Sequence, residues 1–481
     1  MLRFLIFLPG LITLTMLIPL VLALGYGESE MIRAFGIPLG GMLIPTIFSF
    51  LLTRKQEFPF SVAGGLLLIF LAWVFMGFLG GMPYYFSGRI PRFVDAVFES
   101  VSGFTTTGIT VIADVEGMPR SLLLWRGMTQ WLGAMGILGL SAAFLPRLGA
   151  GSLQLNTAPL FGAFSPGPEK DRIVPKITES AKVLWLLYAG LTGLLVPLLM
   201  LGGMGWLDAV IHSLSTMATG GFSSRNGGIA AYRSPWIEWV CAVFMLLAGF
   251  NGPLLYRMIR GKYRDLFRHS EAKAYGGIIL VSIGIITFST LPETHSLGKT
   301  LRYASFQTAS ILSTTGFAAV DHTLWPPLAQ GVLFFLMFVG GCSGSPTGGI
   351  KVIRHVVLFK QMKNEIKKLL YPKGVFGIHL HQKTGRKDVV YGVAGFVFLY
   401  LILLFAAVLL VSTSGLDLFS SINMALMSLG NIGLGLGTLG PGFVFSGFPA
   451  SISWGLAFIM ITGRLELWAA LVFFSREYWQ R

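Results

Sequence analysis

Four times along this chain a short amphipathic segment runs into a turn rich in threonine or glycine, and the copies keep one register. Asp95-Ala-Val-Phe-Glu-Ser leads to Phe104-Thr-Thr-Thr-Gly108, and Asp208-Ala-Val-Ile-His-Ser leads to Met217-Ala-Thr-Gly-Gly221. Tyr303-Ala-Ser-Phe-Gln-Thr leads in the same way to Leu312-Ser-Thr-Thr-Gly316. Thirteen residues separate the first residue of each copy from its last glycine, and a looser copy spans Ser420 to Leu429-Gly-Asn-Ile-Gly433 at that spacing. Gly108, Gly221, Gly316 and Gly433 thus fall about a hundred residues apart. Self-similarity at a fixed period marks one supersecondary unit used repeatedly.

The solvent for these units follows from composition. Of 481 residues, 54% are hydrophobic and 12% charged, against about 25% charged in an ordinary soluble chain. Apolar runs at 4–24, 64–82, 183–204, 276–291 and 389–411 approach or exceed the roughly 18–20 residues that cross a hydrocarbon core. Each threonine/glycine turn follows an apolar span and a stretch of about 12 residues, half the length of a crossing, and precedes another span. Irregular backbone at membrane depth is tolerated only where it is buried or lines a water-filled cavity. Each unit therefore reads as outer helix, re-entrant pore helix, filter loop and inner helix. Two further helices, near 4–24 and 34–52, precede the first unit. The expectation is an all-α integral membrane protein of about ten transmembrane helices, with four pseudo-fourfold repeats around a central ion pore. Residues 1–55 hold the two extra helices; 56–150, 151–260, 261–365 and 366–481 hold the repeats, the third with a broken inner helix. The first apolar run, about 20 residues, exceeds the 7–15 of a signal-peptide core, so it is expected to stay as a helix.

The net charge of +15 does not point to nucleic acid, because no aromatic-interleaved basic patch accompanies it. The cations cluster between spans: Arg54 and Lys55; Arg147, Lys170, Arg172 and Lys176; Arg257 to Arg268; Lys351 to Lys387. The positive-inside rule places all four clusters on the cytoplasmic face and the four turns toward the outside. Cys241 and Cys342, far apart in apolar segments, offer neither a disulfide framework nor metal-ligand spacing.

A monovalent cation crossing a membrane must exchange its water for protein oxygens, and rings of backbone carbonyls supply them without a fixed charge. Aiming successive carbonyls at one axis needs backbone conformations that glycine adopts cheaply. That accounts for one aligned glycine per repeat, with hydroxyls of Thr105, Thr106, Thr107, Thr219, Thr314 and Thr315 beside them. Small residues also serve close helix contacts, but four aligned copies, each after a half-length stretch, favour the pore. In the third inner helix, Gly340-Gly-Cys-Ser-Gly-Ser-Pro-Thr-Gly-Gly349 reads as a break or a kink. It is no phosphate loop, since no glycine precedes Lys and Ser/Thr. Arg464 falls in or near an apolar span, where a charge is costly and usually functional; a pair with Glu466 or an interfacial anchor is the alternative. Glu99 and Asp95 could add negative potential near the mouth, but Asp95 and Asp208 read rather as caps of their pore helices, His212 as structural and His379 with His381 as solvated. Trp125, Trp131, Trp236 and Trp239 suit an interfacial belt.

The whole pattern resembles the Trk/Ktr/HKT superfamily of potassium transporters, most closely its bacterial TrkH branch. Besides the four turns, the resemblance rests on Gly340 to Lys351, the basic stretch after it, Thr462-Gly-Arg464-Leu-Glu466 and the two extra N-terminal helices. It implies a potassium-binding filter formed by Thr106, Thr107 and Gly108; Thr219, Gly220 and Gly221; Thr314, Thr315 and Gly316; and Asn431, Ile432 and Gly433. The fourth turn departs from the family's Thr-x-Gly, and glycine at 108, where sodium-preferring members carry serine, favours potassium. The resemblance makes Gly340, Gly341, Cys342, Ser343, Gly344, Ser345, Thr347, Gly348 and Gly349 an intramembrane gating loop. It makes Arg464 an electrostatic barrier in the path. It further implies a bacterial inner membrane, a homodimer and a cytosolic TrkA-like ring of nucleotide-binding regulatory subunits. The basic segment Lys351–Lys387 is a plausible docking surface for that ring, and anionic membrane lipid would satisfy the same charges. The function expected is gated potassium uptake, with potassium as substrate, no covalent cofactor and no enzymatic step. An ion-coupled secondary transporter is the alternative, but it predicts two related halves with midplane acids, whereas this chain shows four quarters.

Overall fold

The computed structural model describes residues 10, 12–53, 62–144, 177–374, 376–380, 383–385 and 387–480. The basic positions Arg54, Lys55, Arg147, Lys170, Arg172 and Lys176 lie outside these residues, as does His381. Five described helices are long and apolar enough to cross a membrane, or six if one bent pair counts as a single span. The shortfall from ten has a physical cause: several crossing helices are short or interrupted. The apolar helix Ile12–Tyr26 and the inner helix Pro327–Val339 are examples.

Two helices, Ile12–Tyr26 and Ser29–Thr53, precede the first repeat. The repeats follow in one pattern. Outer helices span Val62–Phe86, Ile177–Leu201, Ser270–Thr294 and Lys387–Ser412. Re-entrant helices span Phe93–Phe104, Trp206–Ala218, Leu297–Leu312 and Leu418–Gly430. At 1.5 Å per residue, these helices of 12 to 16 residues reach only about 18–24 Å, too short for a crossing of roughly 30 Å. Inner helices begin at Arg120, Pro235, Pro327 and Ala450. Side chains on the lipid-facing side are large and apolar, Phe288 being 80% exposed and Phe398 68%. Such exposure suits a hydrocarbon surround rather than water.

Packing closes these repeats into a cycle. The re-entrant helix of repeat two packs on the inner helix of repeat one, that of three on the inner helix of two, and that of four on the inner helix of three. Phe93–Phe104 of repeat one closes the circle on Ala450–Arg464 of repeat four. The re-entrant helices are therefore mostly buried, nine residues of the first among them, with exposure confined to their N-terminal ends. Among the described residues, the only strands are Ile378–Leu380 and Lys383–Gly385, which pair antiparallel between repeats three and four.

Among the described residues, three inner helices break. The third ends at Val339 and resumes at Val352 after the glycine-rich segment. The second ends at Ala248 and resumes at Gly252 with a bend of 109°. The fourth stops at Arg464, where Glu466 and Leu467 take left-handed φ of 57° and 59°.

Candidate functional site

All four re-entrant helices end by the same backbone device. Thr106, Thr219, Thr314 and Asn431 adopt left-handed φ of 56°, 55°, 56° and 51°. The next amide then returns to the carbonyl five residues back: Thr107 to Ser102, Gly220 to Ser215, Thr315 to Ser310 and Ile432 to Met427, each at 2.9 Å. This is the closure of a helix C-terminus in which glycine or asparagine usually sits. A threonine there is strained, and such strain persists only where the surroundings impose it. The shared geometry puts Asn431 and Gly433 in register with the other turns. Gly108, Gly221 and Gly316 also take positive φ, of 87°, 80° and 82°. Gly433 does not.

The turns touch in a closed ring. A Cβ on Gly108 would lie 2.2 Å from the Gly220 carbonyl oxygen, and one on Gly221 would lie 2.1 Å from that of Thr315. A Cβ on Gly316 would lie 2.7 Å from the Gly433 nitrogen, and one on Gly433 would lie 2.8 Å from the Thr107 oxygen. Turn one meets two, two meets three, three meets four, and four returns to one. Twelve expected site residues, three from each turn, are thereby gathered at one place. Asn431 ties the last joint, its amide donating to Thr107 Oγ1 at 2.9 Å and to the Met460 carbonyl at 3.0 Å. The Thr106 and Thr219 hydroxyls are buried and have no hydrogen-bond partner among the described residues.

One side of the ring opens into a cavity of about 260 Å³ lined by Gly108, Gly221, Gly316 and Gly433. Its wall is braced by a buried ion pair that the sequence did not reveal. Arg126 Nε donates to Glu99 Oε1 at 2.9 Å, and both side chains are at most 2% exposed. The same guanidinium donates to the Ser223 carbonyl at 3.0 Å and to Thr110 Oγ1 at 3.2 Å, joining the exits of turns one and two. Gln130 braces turn two from behind, donating to the Gly220 carbonyl at 2.7 Å and accepting from Ser215 and Phe222. Further out, Asn226 of repeat two donates to Asp114 of repeat one at 3.0 Å. That bond, with the Gly117 amide, holds the Asp114 carboxyl below its ordinary range.

The glycine-rich segment lies against the ring. Gly348 donates its amide to Thr314 Oγ1 at 2.9 Å, and a Cβ on Gly348 would strike the Gly430 carbonyl. Arg464 is 6% exposed and donates to the Pro346 carbonyl. Glu466 pairs instead with Arg354, so the Arg464–Glu466 alternative falls. Lys351 and Arg354 open the basic cluster in sequence, yet both are buried. Lys351 is 1% exposed and donates to the Ser345 and Thr347 carbonyls across the segment.

The segment is also clamped at its start, by residues not singled out from sequence. Glu271 accepts from the Ser343 amide at 2.6 Å and its hydroxyl at 3.0 Å. Asn251, in the break of the second inner helix, donates to the Ser343 carbonyl at 3.0 Å, while Gly249 accepts from the Cys342 amide at 2.8 Å. Asn251→Ala is expected to loosen this clamp. With Cys241→Ser as background, labelling of buried Cys342 by a small thiol reagent should speed severalfold, and unchanged labelling would mean that the clamp does not hold the segment.

Three minor expectations need correction. Asp95 and Asp208 are third residues of their helices, whose caps are Arg92 and Gly205. Asp208 instead accepts from Ser224 at 2.6 Å and pairs with Arg225 at 3.2 Å. Trp125 is fully buried and donates to the Gly80 carbonyl at 3.0 Å, so it has no face left for an interfacial belt, whereas Trp236 and Trp239 are 50% and 41% exposed. Among the described residues, no three His, Cys, Asp or Glu side chains converge as metal ligands.

This architecture has known counterparts. The TrkH family, described as cation transport proteins, matches residues 41–275 and 285–481. The chain belongs to the TrkH family. Among curated members, the Trk system potassium uptake protein TrkH of Halomonas elongata is 34% identical over 98% of this chain and 96% of its own. That of Escherichia coli K12 is also 34% identical, over 97% and 96%. The crystal structure of the potassium transporter TrkH from Vibrio parahaemolyticus superposes over the whole of both chains with a TM-score of 0.87 at 30% identity. This TrkH-family member is thus a multi-pass membrane protein of all-helical, fourfold-repeat architecture.

Proposed function

We propose that this chain carries potassium into the cell through the ring of four turns, as a gated pore rather than an enzyme. The observation that carries the reading is ring closure: four backbone bends of one geometry abut in sequence, each pressed against the next with no room for a side chain. Carbonyls held in such a ring replace a hydration shell without a fixed charge. The buried, unpartnered hydroxyls of Thr106 and Thr219 add oxygens for a cation at the ring. The segment 340–349 is the gate, and Arg464 beside it is the barrier, because a buried guanidinium under the ring repels a cation descending from it. The membrane is the bacterial inner membrane, with the basic connections inside. A homodimer on a cytosolic TrkA-like nucleotide-binding ring completes the assembly, and exposed Lys367 and Lys368 on the helix Val352–Leu370 offer that ring its docking face.

Rubidium uptake by purified protein in liposomes, with and without imposed proton or sodium gradients, tests the reading. Uptake down the rubidium gradient alone is the expected result; strict dependence on a second gradient would replace the pore with a coupled transporter. In the same assay Arg464→Ala is expected to raise flux severalfold. A slower or unchanged rate would make Arg464 a structural prop of Pro346.

A further inference from the structure

A groove of about 990 Å³ runs along the membrane-facing side of repeat three, between the outer helix Ser270–Thr294 and both halves of the broken inner helix. Its walls are almost entirely apolar. Two glycines deepen it: Gly277 on the outer helix and Gly331 on the first inner half both line it, and a Cβ on either would meet nothing within 4 Å. Phe335, 60% exposed, forms an open lip. At one end the lining changes character. Lys273, Lys360, Lys363 and His355 gather there with Ser270, and no carboxylate lines the groove anywhere. Lys273 and Lys363 are exposed, while Lys360 approaches Ser270 Oγ at 3.4 Å.

We propose that this groove binds an anionic phospholipid, its acyl chains along the apolar walls and its phosphate at Lys273 and Lys363. Charge complementarity selects this occupant. A basic pocket between membrane helices at the level where headgroups lie is suited to an anionic headgroup, and a zwitterionic lipid would leave the lysines uncompensated. A second copy of the chain is the other occupant such a groove could take, and the test below separates the two. A lipid seated here touches the outer helix and both inner halves, and so spans the break that holds segment 340–349. That consequence for gating rests on the function proposed above; the binding does not.

The test therefore reads binding and needs no transport. Purified protein is equilibrated with nanodiscs containing phosphatidylglycerol or phosphatidylcholine, and retained lipid is counted by native mass spectrometry. Wild type is expected to retain phosphatidylglycerol and not phosphatidylcholine. Lys273→Gln with Lys363→Gln should weaken retention roughly thirtyfold, from the surface attraction each lysine adds. Gly331→Leu, which fills the groove and leaves every charge in place, should abolish it. Equal retention of both lipids would overturn the proposal, as would unchanged retention in both variants. Loss of a dimer on Gly331→Leu with no lipid retained by wild type would assign the groove to a second copy instead.

Discussion

Gly108→Ser is expected to lower the preference for potassium over sodium by roughly tenfold. The position combines a φ of +87° with a Cβ that would lie 2.2 Å from the Gly220 carbonyl oxygen. A left-handed, crowded non-glycine residue costs about 1–3 kcal/mol, and 1.4 kcal/mol is a tenfold change in an equilibrium. The ring relieves the clash by moving turn two outward or turning the carbonyl, and either change alters the spacing on which size discrimination depends. Sodium competition against radiolabelled rubidium uptake measures the effect. Gly190→Ser is the control: it sits on an outer helix with open space around its Cβ, and its selectivity should match wild type. Unchanged discrimination in Gly108→Ser would place residue 108 outside the filter.

Arg126→Met is expected to have the largest effect on stability, about 3–5 kcal/mol, the usual result of stripping one partner from a buried ion pair. Glu99 would stay 0% exposed, keeping only Thr110 Oγ1 at 3.0 Å and the Val111 amide at 2.8 Å. The link from turn one to the Ser223 carbonyl would vanish at the same time. Thermal unfolding in detergent should show a large drop in Tm. The double variant Glu99→Gln, Arg126→Met should recover much of it, because the uncompensated charge, rather than the missing attraction, dominates the loss. If the single variant melts like wild type, the pair does not brace the wall.

These two cases mark what a sequence can and cannot disclose. The turns were legible because the thirteen-residue offset from segment start to glycine is a local quantity, and all four copies repeat it. The offset held even at Asn431-Ile432-Gly433, where the residue types change but the left-handed backbone does not. The Glu99–Arg126 pair was illegible because its members sit 27 residues apart on different helices, and no periodicity connects them. Lys351 was hard to place for a related reason. It opens a run of cations in sequence, yet the break beside it turns it inward onto Ser345 and Thr347. Asn251-Gly-Pro253 in the second inner helix carried a readable turn signal, and the 109° bend there is what it announced. Its partner Glu271 lies one repeat away, and only folding brings the two within 3.4 Å.

Anomalous diffraction from crystals grown in rubidium or thallium tests the central claim most directly. The account predicts density on the axis enclosed by Gly108, Gly221, Gly316 and Gly433, within direct coordination distance of oxygens of all four turns. An empty ring, with the ion bound elsewhere in protein that still takes up rubidium, would contradict it.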